Sequence, residues 1–152
     1  MAPTRKKLAA EAWGSLLQLH SALVPRLDRD LRSRTGLPLA WYDVLLELSA
    51  ARDGRMTMTQ LGERAVLSRS RVSRVVDELT RAGYVTREAH PEDARSAYAV
   101  VTEMGLARFR EAAPVYLGGI EELFAAPLSA TELQSLASML QRVQVRLART
   151  EP

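Results

Sequence analysis

Residues 67–85 read LSRSRVSRVVDELTRAGYV. At about 100° per residue, Val72, Val75, Val76 and Leu79 fall on one narrow apolar stripe of a helix. Ser70, Arg74, Asp77 and Arg81 lie almost opposite, Ser73 and Arg71 on the flanks, and Arg69 in the first turn. Arg69, Arg71 and Arg74 occur with no acid between them. Cations in a first turn oppose the helix dipole, at a cost of about 0.3–1 kcal/mol each. A helix selected for solubility alone would more naturally carry Asp or Glu there. A helix that enters a DNA groove presents its N-terminal residues to the bases, and guanidinium forks suit guanine O6 and N7 or phosphate oxygens. In isolation the stretch also fits a solvated surface helix, the usual setting of a charge run.

The neighbouring sequence bears on that choice. Thr57-Met58-Thr59-Gln60 has the spacing of a capping box, which predicts a short helix to about Ala65. Ser68 is placed to cap the next helix through its side-chain oxygen, and Gly83 suits the left-handed position after its end. Two short helices joined by a tight turn make a helix-turn-helix. Tyr84–Ala89 and Ser96–Val101 have strand composition and flank the turn-forming HPEDAR, which predicts a β-hairpin wing.

Both ends of the chain read as helix. Upstream, Trp13, Leu16, Leu17, His20, Val24, Leu27 and Leu31 share one face of a segment from 8 to 34, with a kink expected at Pro25. Gly36 and Pro38 break it, and a second helix runs from about Leu39 to Ala51, stopped by Asp53-Gly54. Downstream, Leu106, Phe109, Ala113, Tyr116, Ile120 and Leu123 alternate steps of three and four, with Pro114 a second candidate kink. After Pro127-Leu128, Ser129 and Glu132 form another capping box ahead of Leu133, Leu136, Leu140, Val143 and Leu147. The expected fold is mainly α with a small β-hairpin wing (α+β), one domain over 1–152. A winged helix-turn-helix lobe at 39–101 lies between helical segments 8–34 and 102–149.

Composition excludes several other classes. The 152 residues are 47% hydrophobic and 26% charged, as in a globular chain. No apolar run approaches the roughly 20 residues that cross a bilayer, and MAPTRKKLAAEAW has no apolar signal core, so a cytoplasmic protein without membrane association is expected. There is no cysteine and only two histidines, His20 and His90, which leaves no disulfide, thiolate metal site or His-rich metal site; no cofactor is expected. No nucleophile–base pattern, metal motif or phosphate loop stands out, so an enzyme is not expected. The net charge of +3 is a mild bias whose placement matters more than its size.

In order and spacing these segments resemble the MarR family of bacterial transcriptional regulators. The resemblance covers nearly the whole chain. It is most specific at Leu79 to Val85, at Asp93-Ala94-Arg95 in the wing, and at Val101-Thr102-Glu103-Met104-Gly105; LPLAWYDVLLEL at 37–48 also matches. Two positions depart: Ala94 stands where many members have arginine, and Val101 where leucine is common. The resemblance implies a regulator, by expectation a repressor, that binds double-stranded DNA at a pseudo-palindromic operator as a homodimer. The helix from Arg69 to Ala82 would read the major groove. Its expected DNA contacts are Ser68, Arg69, Ser70, Arg71, Ser73, Arg74 and Arg81, joined by Arg87, Asp93 and Arg95. Arg95 would reach the minor groove, held in place by Asp93. The terminal helical seams would form the dimer interface. A small aromatic or anionic effector is also implied, with Trp13, His20, Trp41, Tyr42 and Asp43 as candidate lining. Trp13 is more often core or interface packing, and His20 a satisfied buried histidine. The alternatives are a non-specific architectural DNA-binding protein and a regulator that acts without a ligand.

Overall fold

The computed structural model describes residues 3–93 and 96–149. In chain order the elements are α1 (Arg5–Thr35), α2 (Leu39–Ala50), β1 (Arg55–Thr57), α3 (Met58–Arg64), α4 (Arg69–Arg81), β2 (Val85–Ala89), β3 (Ala97–Val101), α5 (Glu103–Ile120) and α6 (Ala130–Ala148). The chain forms two compact units, Met1–Leu117 and Gly118–Pro152.

The core of the first unit collects the stripes that periodicity picks out. Leu27 and Leu31 of α1, Val44, Leu45 and Leu48 of α2, Leu61 of α3, and Val72, Val75, Val76 and Leu79 of α4 are all buried. Tyr42 is also buried, its ring 5.2 Å from Phe109 and 4.7 Å from Tyr116, which seats α5 on α2. Helix α1 runs through Pro25 without interruption and ends at Gly36, at φ 74°. The first turn of α2 follows Pro38, which has no side chain able to cap it. Asp28 of α1 fills that role: its Oδ1 accepts the Leu39 amide at 2.8 Å, a carboxylate at the positive end of a helix.

The wing is a three-stranded antiparallel sheet of order β1-β3-β2, not the two-stranded hairpin expected. The chain leaves α2 through Asp53 and Gly54, both left-handed at φ 64°, and enters β1, where Met56 pairs with Ala99. Across the hairpin Arg87 pairs with the same Ala99. Thr57 then starts α3 with the capping box that sequence predicts: its Oγ1 accepts the Gln60 amide at 3.2 Å, and Gln60 Oε1 accepts the Thr57 amide at 3.0 Å.

Gly105 marks the junction of wing and α5. A Cβ there would lie 2.2 Å from the Tyr84 carbonyl oxygen, so only glycine fits. Thr102 locks the same junction: its hydroxyl donates to the Gly83 carbonyl at 2.8 Å and accepts the Gly105 amide at 3.0 Å.

In the second unit, a π-helical turn at Glu121–Ala125 precedes α6. Ser129 and Glu132 form the expected capping box, Ser129 Oγ accepting the Glu132 amide at 3.3 Å and Glu132 Oε2 accepting the Ser129 amide at 2.8 Å. No residue of α6 is fully buried. No helix among the described residues is long and apolar enough to cross a membrane.

Candidate nucleic-acid interface

Helix α4 sits in the first unit with its valine stripe inward: Val76 and Leu79 have no exposure at all. The opposite face, with Ser70, Ser73, Arg74, Asp77 and Arg81, is exposed, as are Ser68, Arg69 and Arg71 at its start. One local expectation fails. Ser68 occupies the N-cap position but makes no capping hydrogen bond; its hydroxyl lies 3.3 Å from that of Ser70 instead. With that hydroxyl turned aside, the first-turn amides have no side-chain acceptor at the N-cap. At the other end the expected glycine stop is present. Gly83, at φ 78°, donates to the Thr80 carbonyl, and Tyr84 donates to that of Leu79 at 2.9 Å, which closes the last turn.

Two polar contacts hold the flanks of α4. On the wing side Arg87 of β2 reaches Asp77 at 2.6 Å. On the α2 side the Trp41 indole N–H donates to Glu78 Oε2 at 2.8 Å, and the same indole meets Tyr84 edge-on at 6.1 Å. Arg87, an expected DNA contact, is thus engaged within the protein. Arg69 is loosely paired with Glu63 at 3.8 Å, both side chains well exposed. Arg71, Arg74 and Arg81 make no hydrogen bond or ion pair among the described residues.

On the wing, Tyr98 carries the His90 ring stacked at 4.9 Å and the Arg55 guanidinium 4.9 Å from its centroid. His90 Nδ1 accepts the Glu92 amide at 3.2 Å, and the Asp93 carbonyl accepts the Ser96 amide at 2.9 Å, which shapes the loop. Ala94 and Arg95 lie outside the described residues, so the expected Asp93–Arg95 contact does too.

Two clefts adjoin α4. The outer one, about 620 Å³, is lined by Arg32, Trp41, Ser70, Arg71, Arg74 and Glu78 among others. The inner one, about 390 Å³, is lined by His20, Asp28, Arg32, Asp43, Leu67 and Arg71 among others. The residues expected to line an effector pocket are therefore not gathered in one place. His20 and Asp43 share the inner cleft, Trp41 faces the outer one, and Tyr42 is a core residue. Trp13 is 60% exposed and lines neither cleft. Burial pushes the Asp43 carboxyl up to about 6; Glu47 adds to the rise and Arg71 opposes it. Sequence reading missed Asp28, Arg32 and Glu78. The i,i+4 pair of Asp28 and Arg32 was visible, but that they face a cleft depends on how α1 meets α2 and α4.

A sequence model of the MarR family matches residues 35–96. The chain is 30% identical over 90 residues to the HTH-type transcriptional regulator MhqR of Bacillus subtilis, a match covering 59% of this chain and 61% of MhqR. Two further curated relatives are covered over 64% and 51% of their lengths. Among solved structures, AbsC of Streptomyces coelicolor, a MarR family transcriptional regulator, is 29% identical, with 99% of each chain covered and a TM-score of 0.82. Sco3205 of the same organism, a MarR family regulator solved in complex with DNA, is 28% identical, with 100% of this chain and 92% of that one covered and a TM-score of 0.84. These relatives are transcriptional regulators, and in sequence motif, winged fold and these likenesses the chain is similar to the MarR family of transcriptional regulators.

Proposed function

We propose that this chain binds DNA sequence-specifically as a homodimer on a pseudo-palindromic operator, represses transcription by occupying it, and is released by a small-molecule effector. The observation that carries the reading is the state of α4. Its buried stripe fixes the helix, its flanks are held by Asp77–Arg87 and Glu78–Trp41, and the exposed side chains of Arg71, Arg74 and Arg81 have no hydrogen-bond or ion-pair partner among the described residues. Guanidinium groups held on a rigid helix and not consumed by the protein suit base edges and phosphates. The uncapped first turn adds amide donors for a phosphate. That Sco3205 was solved with DNA supports the same use of the fold here.

Dimerisation is supported by apolar faces uncovered within the chain. Trp13 and Leu17 of α1 are 60% and 50% exposed, and Val143 and Leu147 of α6 58% and 61%. Two copies would also place two recognition helices on half-sites about one DNA turn apart, since one helix reads too few bases for useful selectivity. The effector role is supported by the inner cleft, where Arg71 suits an anionic group.

Footprinting with wild type and Arg74→Ala tests the reading. The expected result is a protected pseudo-palindrome, with the variant losing about 1–3 kcal/mol of affinity and its preference at one position per half-site. Uniform protection along the DNA would support the architectural alternative.

A further inference from the structure

Arg71 occupies an unusual position. It is one of two first-turn arginines of α4, with Arg69, and it lines both clefts: the outer one beside Ser70 and Arg74, and the inner one beside Asp43. Since it has no hydrogen bond or ion pair among the described residues, its guanidinium is not committed to either side. The Asp43 carboxyl likewise makes no hydrogen bond among the described residues, although it is partly buried at the base of the recognition helix.

The groups that face Asp43 differ in how far they are engaged. From α1 come His20, Asp28 and Arg32; Asp28 already accepts the Leu39 amide and lies 3.3 Å from Arg32. On α2 itself, Glu47 is paired with Arg64 of α3 at 3.1 Å, and Tyr42 is buried. The linker before α4 contributes only the apolar Val66 and Leu67. From α5 comes Tyr116, whose hydroxyl is pushed above its ordinary value by burial and then by Asp43 itself. Among these, Arg71 is the cation without a competing carboxylate partner.

We propose that Asp43 and Arg71 form a proton-operated latch on the recognition helix. With the carboxylate ionised, Arg71 is drawn toward the inner cleft; when the carboxyl takes up a proton, the guanidinium is free to serve a DNA phosphate at the outer cleft. The burial that lifts Asp43 to about 6 puts this exchange just below neutral pH. The cycle closes thermodynamically. DNA that engages Arg71 removes the group that favours the Asp43 carboxylate, so binding raises the carboxyl further and takes up a proton. By reciprocity, acidification tightens binding. The latch rests on the DNA-binding reading above.

The test is fluorescence anisotropy on one operator, from about pH 8 to about pH 5.5 at constant ionic strength, with wild type, Asp43→Asn and His20→Gln. Wild type should bind up to about tenfold more tightly at the acid end, the factor for a one-unit difference between free and bound Asp43. Asp43→Asn should already bind at pH 8 as wild type does in acid, and its profile should be nearly flat. His20→Gln should keep the wild-type slope. An Asp43→Asn profile as steep as that of wild type, or a flat one for His20→Gln, overturns the latch. Should Asp43→Asn not fold, calorimetry of wild type in two buffers of different ionisation heat decides the matter: uptake of protons on binding near pH 6.5 supports the latch, and none overturns it. Failure of wild type to prefer any operator at any pH would instead sink the DNA-binding reading.

Discussion

Asp43 and Gly105 show how single positions are set by surroundings remote in sequence. Asp43 lies on α2 between buried Tyr42 and Val44, and burial raises its carboxyl from 3.8 to about 6. A raised carboxyl favours the fold while protonated. That contribution is complete below the unfolded value near 3.8 and is lost as pH rises through about 6. Asp43→Asn should therefore raise the Tm at pH 7.5 by about 2–4 °C, roughly 1 kcal/mol after discounting for partial exposure, and leave it unchanged at pH 4; calorimetry at the two pH values checks this. Gly105→Ala must push against the Tyr84 carbonyl and should cost about 2–3 kcal/mol in urea unfolding. The sequence singles out Gly105 through its motif spacing and Asp43 as a cleft candidate. It does not reveal that Tyr42 beside it turns into the core, because adjacent residues of one helix differ only by the side they face. Nor does it reveal that Arg87 is spent on Asp77, a contact between residues on two different elements.

Among the elements, α4 was the most legible, since its four apolar residues obey one helical period and all four are buried. The capping boxes at Thr57 and Ser129 also stand where their spacing puts them, because a capping box is a local interaction. β1 was not legible. Three residues are too few to show alternation, and Arg55–Thr57 is a strand only because β3, more than 40 positions away in sequence, pairs with it. Ser68 failed as a cap for a related reason: its hydroxyl had a second local partner in Ser70. Asp77–Arg87 joins the wing to α4 at 2.6 Å. A double-mutant cycle with Asp77→Asn and Arg87→Gln should give a coupling of about 0.5–1 kcal/mol in stability, small because both side chains are well exposed. Independent, additive effects would mean the wing is held by its backbone pairing alone.

At the scale of the whole molecule, the apolar faces of α1 and α6 are what a lone chain leaves uncovered. Light scattering at micromolar concentration should give twice the chain mass of 16.8 kDa, and Leu17→Glu should shift it toward the monomer and weaken operator binding together. The more searching question is whether the exposed arginine face of α4 reads sequence. Selection from a random double-stranded pool, followed by affinity measurements over a salt series, answers it directly. The account predicts enrichment of a pseudo-palindrome with half-sites about one DNA turn apart, bound at least about a thousandfold more tightly than scrambled DNA and weakening steeply with salt. A pool that emerges without a shared motif, or equal affinity for selected and scrambled DNA, would contradict it.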